Sequence, residues 1–60
     1  MDWEKWVGKE NVFIMLEDGG IFSKSKILAY EEPFLSITDR DGLPAVVNTR
    51  IIIKIKEERE

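Results

Sequence analysis

The sequence predicts a mainly β domain: a small five-stranded barrel preceded by one short N-terminal α-helix. Three observations carry that expectation. From Val12 onward, apolar residues come in runs of about five, the length of a short strand. Turn-forming clusters separate these runs at close intervals: Glu17-Asp18-Gly19-Gly20, Glu31-Glu32-Pro33, Asp39-Arg40-Asp41-Gly42 and Asn48-Thr49-Arg50. Helical spacing of apolar residues is confined to the segment before Gly8.

Residues 2–8 read as the helix. Asp2 is a suitable N-cap, Trp3, Trp6 and Val7 lie three and four apart, and Gly8 is a C-terminal stop. So short a helix does not hold itself together in water, and its tryptophans must pack on something. Residues 11–56 read as the barrel. Val12-Phe13-Ile14-Met15-Leu16 is an unbroken apolar run. Asp18-Gly19 after it is a two-residue hairpin signature, with positive φ expected at both central positions. The next strand runs from Ile21 to Tyr30 with a polar middle. Phe22 and Ile27 have opposite parity, so turning both to the core requires a bulge or sharp bend near Lys24 or Ser25.

Pro33 ends that strand, because it removes a ladder donor and restricts the residue before it. Phe34 to Thr38 is the third strand, with Leu35 and Ile37 on one face. Asp39 to Gly42 predicts a type I turn with Gly42 in the left-handed region. Leu43 to Val47 is the fourth strand, with Pro44 near its start, where the missing N–H does least harm. Ile51 to Lys56 is the fifth, with Ile51, Ile53 and Ile55 expected on one face and Ile52, Lys54 and Lys56 on the other. Residues 57–60 are a charged tail expected to fray. Closing such strands into a barrel removes exposed edges. Only Asp39 to Gly42 separates strands three and four, which leaves no room for the helix of an OB barrel. The expected order is therefore SH3-like.

Sixty residues make a single domain, 1–60, and a thin-cored one. A chain of this length buries only about 60% of the surface its unfolded form exposes. Such domains are usually stapled by a disulfide, a metal or a partner. With no Cys and no His, the disulfide, the thiolate metal site and the commonest general base are all missing. Self-association is thus an option before any motif is read, including a dimer with exchanged hairpins. No apolar run approaches the roughly 18 residues of a membrane span. The start, Met1-Asp2-Trp3-Glu4-Lys5, is polar and acidic where a signal peptide would be basic and then apolar, so the expected location is cytoplasmic. The net charge of -3 runs against a dedicated DNA coater, since phosphate neutralisation favours basic chains.

Taken together, these residues resemble the Sm-like (LSm) family of small SH3-like barrels over nearly the whole chain. The resemblance rests on the helix ending in Gly8-Lys9, on Val12 to Gly19 as first strand and Asp-Gly turn, and on Phe22. It continues in the bent second strand, Tyr30-Glu31, and the ending Asn48-Thr49-Arg50-Ile51-Ile52-Ile53-Lys54-Ile55. The family's strand-two Gly falls near Lys24 or Ser25, and Leu35 stands near the family's base-pocketing Asn. The Arg-Gly or Lys-Gly pair of the second motif is missing. The resemblance implies assembly in which strand four of one subunit joins strand five of the next, and it implies RNA binding.

The residues themselves favour binding over catalysis. Ser23, Ser25, Ser36, Thr38 and Thr49 have no His to activate them, and there is no Cys nucleophile. Glu31-Glu32 and Asp39/Asp41 fall in turns, as solvated charges do. Asp39-Arg40-Asp41-Gly42 opens like a calcium loop, but the strand Leu43 to Val47 follows where further oxygen ligands are needed. The expectation is a non-enzyme with no catalytic residue, cofactor or metal. Phe13 and Met15 on strand one break the apolar–polar alternation of a half-buried strand, and Leu28 and Ile52 pose the same question. Trp3 and Trp6 can cover part of this surplus; the rest, with Val46, is a candidate interface with another copy or another protein. The alternative partner is RNA or DNA. Tyr30 and Phe34 are the candidate stacking residues, with Asn48 and Arg50 nearby. Lys24, Lys26, Lys54, Lys56, Arg40 and Arg50 supply a local positive face, while Glu31 and Glu32 repel phosphate.

Overall fold

The computed structural model describes residues 2–58. Its strands are β1 (Val12–Leu16), β2 (Ile21–Ser25), β3 (Ile27–Glu31), β4 (Phe34–Thr38), β5 (Pro44–Asn48) and β6 (Ile52–Glu57). They form two three-stranded antiparallel sheets, ordered β2-β1-β6 and β3-β4-β5. Because strand side chains alternate, each sheet presents one face inward. Val12, Ile14 and Leu16 of β1 meet Ile27, Leu35, Ile37 and Val47 of the second sheet to make the core.

The long second strand expected from Ile21 to Tyr30 is two strands, which makes six in place of five. β2 carries one extra residue between the pairs Val12–Ser25 and Ile14–Phe22, and Lys24 turns to φ 51 there. This bulge lets Phe22 pack against the core while Ser25 and Ile27 are buried. The parity conflict is thus resolved at the place the sequence required. The chain then passes at Lys26 from one sheet into the other, as strands do at the corners of packed sheets. Ladder pairing among the described residues makes two sheets, not one continuous cylinder.

The N-terminal segment is a 3-10 helix, Trp3–Trp6, and not the α-helix expected over 2–8. Its bonds run three residues back, from Lys5 N–H to the Asp2 carbonyl and from Val7 N–H to the Glu4 carbonyl. Four residues are too few for a propagating α-ladder. In a 3-10 helix residues three apart eclipse one another, so Trp3 and Trp6 share one side and both pack against the core.

Three smaller expectations also change. In the Glu17–Gly20 turn only Gly19 has positive φ, at 91, so it is not a two-residue hairpin. It closes through Gly19 N–H to the Leu16 carbonyl and Leu16 N–H to the Gly20 carbonyl. The Asp39–Gly42 turn has the same plan, with Gly42 at φ 82 as expected. In β6 the register slips between Met15 and Leu16, so Ile53 is an extra residue. Ile52 and Ile55 therefore pack toward the core and Ile53 is 63% exposed, against the expected grouping of Ile51, Ile53 and Ile55. Of the tail expected over 57–60, Glu57 belongs to β6. Glu58 N–H bonds the Asn11 carbonyl, and the Asn11 side-chain amide donates to the Glu58 carbonyl. Arg59 and Glu60 lie outside the described residues.

Candidate functional site

The residues singled out from the sequence fall into three places. The first is the loop end of the β3-β4-β5 sheet. Thr49 holds two loops together there: its N–H and hydroxyl both donate to the Pro33 carbonyl, at 2.8 and 3.1 Å. The Asn48 side chain accepts from Arg50 N–H at 2.9 Å and opens a short 3-10 helix, Thr49–Ile51. Phe34 lies directly across from Asn48 and is 51% exposed, and Arg50 is exposed beyond it. Tyr30 pairs with the buried Leu35, shares its inward face, and packs against the core. The structure therefore brings Phe34, Asn48 and Arg50 together at one rim and turns Tyr30 away. Glu31, cross-strand from Phe34, makes the same rim acidic.

The second place is the free edge of β6. Trp3 with Ile52, Ile53, Lys54 and Ile55 lines an open groove of about 210 Å³. Trp3, Trp6 and Ile52 belong to the shell around the core. β5 is the free edge of the other sheet, and its Val46 is 64% exposed.

The third place is the outer face of the β2-β1-β6 sheet. Phe13 and Met15 lie here, half-buried, on the side of β1 opposite Val12, Ile14 and Leu16. The tryptophans pack on the inner side, so they do not form the cover for Phe13 and Met15 that the sequence allowed. Lys56 faces Phe13 and Lys54 faces Met15 across the ladder, and the Lys56 ammonium sits 5.5 Å from the Phe13 ring centroid. Sequence reasoning missed Ile21 on this face, and missed the exposure of Ile53 at the β6 edge. Ile21 pairs with Met15, a neighbour that hairpin register could have shown, whereas the β6 bulge that turns Ile53 outward leaves no sequence signal.

The basic residues divide accordingly. Lys24, Lys54 and Lys56 belong to the outer face, Lys26 pairs with Glu10 at 3.7 Å, and Arg40 and Arg50 sit in separate turns. Among the described residues no group of three or more acidic side chains is arranged to hold a metal ion. No protein-family model, curated protein or solved structure matches this chain.

Proposed function

We propose that this chain is a non-catalytic binding module of small-barrel type that assembles with copies of itself, or with another protein, through β5 and β6. One observation carries the reading: β5 and β6 are free edges of different sheets, each with an exposed branched apolar residue, Val46 or Ile53. A free edge holds a row of unpaired N–H and C=O groups, which favours pairing with another strand. Joining β5 of one copy to β6 of the next satisfies both rows at once and repeats head to tail, as ring-forming interfaces do.

The five-stranded SH3-like barrel remains the reading of how the two sheets are related, with β2 and β3 as one strand bent at its bulge. Lys24, at φ 51, occupies the region where resemblance to the Sm-like family implies a glycine. That resemblance also implies pairing of the strands that correspond here to β5 and β6.

Light scattering across a range of concentrations tests the proposal. The expected result is a fixed multiple of the single-chain mass, reduced to one chain by Val46→Lys. A single-chain mass at high concentration, with no added partner, would overturn self-assembly. A second reading, RNA or DNA binding, is favoured by the exposed Phe34 ring beside Asn48 and Arg50. It requires salt-sensitive binding of an unstructured oligonucleotide that is lost in Phe34→Ala.

A further inference from the structure

We propose that the outer face of the β2-β1-β6 sheet is a docking surface for an acidic amphipathic α-helix of another protein. The inference rests on the reading of the chain as a binding module and not on assembly through the β5 and β6 edges.

The layout of the face specifies the occupant. The central strand β1 contributes Phe13 and Met15. On the β6 side Lys56 stands opposite Phe13 and Lys54 opposite Met15. On the β2 side the bulge at Ser23 and Lys24 faces Phe13, and Ile21 faces Met15. An apolar stripe of Phe13, Met15 and Ile21 thus runs along the sheet, with Lys54 and Lys56 on the β6 border and the single Lys24 at the bulge of the β2 border. The ion pairs among the described residues are Lys9–Glu57 and Lys26–Glu10, so none of these three lysines has a carboxylate of the described residues at salt-bridge distance. Lys56 rests instead on an aromatic ring.

The dimensions agree. Strands flanking a central one are about 9.5 Å apart, and a helix with its side chains is about 10–12 Å across. A helix laid along β1 therefore places its apolar stripe on Phe13 and Met15 and its two flanks over the bordering lysines. Five strand residues span about 17 Å, which is about three helical turns. A sheet with two apolar faces needs a layer on each, and the inner face already has the second sheet.

Other anionic partners fit less well. Successive bases need a platform of several aromatic rings, and this face has one ring, already occupied by Lys56. Anionic membranes are read by clusters of about four to eight basic residues, more than stand here.

The experiment is fluorescence anisotropy of a labelled helical peptide of about four turns, with Leu on one stripe and Glu on both flanks. The same peptide with Lys for every Glu, and an oligouridine, serve as comparison probes. The expected result is saturable binding of the Glu peptide alone, weakening with salt. Lys54→Glu with Lys56→Glu should reduce it by about tenfold or more, as should Phe13→Ser. Circular dichroism of each variant confirms that it remains folded. Equal binding of the Glu and Lys peptides, or none of the Glu peptide up to about 1 mM, overturns the proposal. So does stronger binding of oligouridine through the same lysines, which would assign the face to nucleic acid. Light scattering separates this inference from edge assembly. A single-chain protein that binds the Glu peptide upholds the docking face while edge assembly fails. A Lys54→Glu/Lys56→Glu variant that loses both its assembly and the peptide shows the face to be part of the assembly contact, and overturns the proposal.

Discussion

β1 and β4 are the middle strands of the two sheets, of equal length and each paired on both sides, yet they bury differently. On β4 the inward Leu35 and Ile37 alternate with the outward Phe34, Ser36 and Thr38, the pattern of a sheet that faces water on one side. On β1 the inward Val12, Ile14 and Leu16 alternate with Phe13 and Met15. The outward side of β4 is mostly polar and carries no charge; the outward side of β1 is apolar with lysines across the ladder. The difference teaches that the two sheets are equivalent as halves of a core and not as surfaces. The β3-β4-β5 sheet exposes Leu28, Phe34 and Val46 singly, one on each strand, with no lysine across from the outward residues of β4, while the β2-β1-β6 sheet sets Phe13 and Met15 side by side along its middle strand with Lys56 and Lys54 across the ladder.

If the two sheets share one core, cutting into either middle strand should destabilise the whole domain. Ile14→Ala and Ile37→Ala each remove a fully buried side chain, one from each middle strand. Each should cost about 3 kcal/mol, a large part of the roughly 3–9 kcal/mol available to a domain of this size. Urea unfolding should show similar losses for the two. A loss confined to one of them would mean that the sheets are not halves of a single cooperative unit.

A smaller change sharpens the view of the bulge that joins them. The Ser25 hydroxyl is fully buried and has no hydrogen-bond partner among the described residues. Replacing it with hydrogen in Ser25→Ala should raise stability by about 1 kcal/mol, because an unpaired buried hydroxyl is costly. A lower urea midpoint for this variant would reveal a partner for that oxygen and make the bulge more than a corner.

The least effect on stability is expected on the outer faces. Phe34→Thr should change stability by no more than about 0.5 kcal/mol, as exposed substitutions do. Phe13→Thr, on a half-buried ring, should cost only about 1 kcal/mol. A loss of several kcal/mol for Phe13 in thermal melts would place it in the core and erase the contrast between β1 and β4.

Much of this architecture was legible in the residues. The β4 strand, the Asp39–Gly42 turn with its left-handed Gly42 and the kink near Lys24 all follow from alternation, turn chemistry and parity. The misreadings within the strands share a cause: each depended on one residue of register. The extra residue in β2 ended a strand, the extra residue in β6 reversed Ile53, and Asp18-Gly19 resembled a shorter turn than the one that forms. A one-residue slip flips every later side chain to the other face, and while the parity of Phe22 and Ile27 marks the bulge in β2, nothing in the run Ile51-Ile52-Ile53 marks the one in β6. The candidate rim was half legible. Phe34 and Asn48 are together because β4 pairs with β5, and Tyr30 leaves them because its own partner, Leu35, is a core residue.

Composition and spacing alone decide that the chain is β-rich and where it turns, since strand period, proline, glycine and Asp-Gly act through local backbone geometry. They also decide that Phe13 and Met15 are apolar where polar residues are expected. Which side the tryptophans cover, and whether Lys24 joins Lys54 and Lys56 on one face, is decided by the tertiary structure. Those facts depend on pairing between strands far apart in the chain, where one bulge redirects a side chain that local preference leaves free.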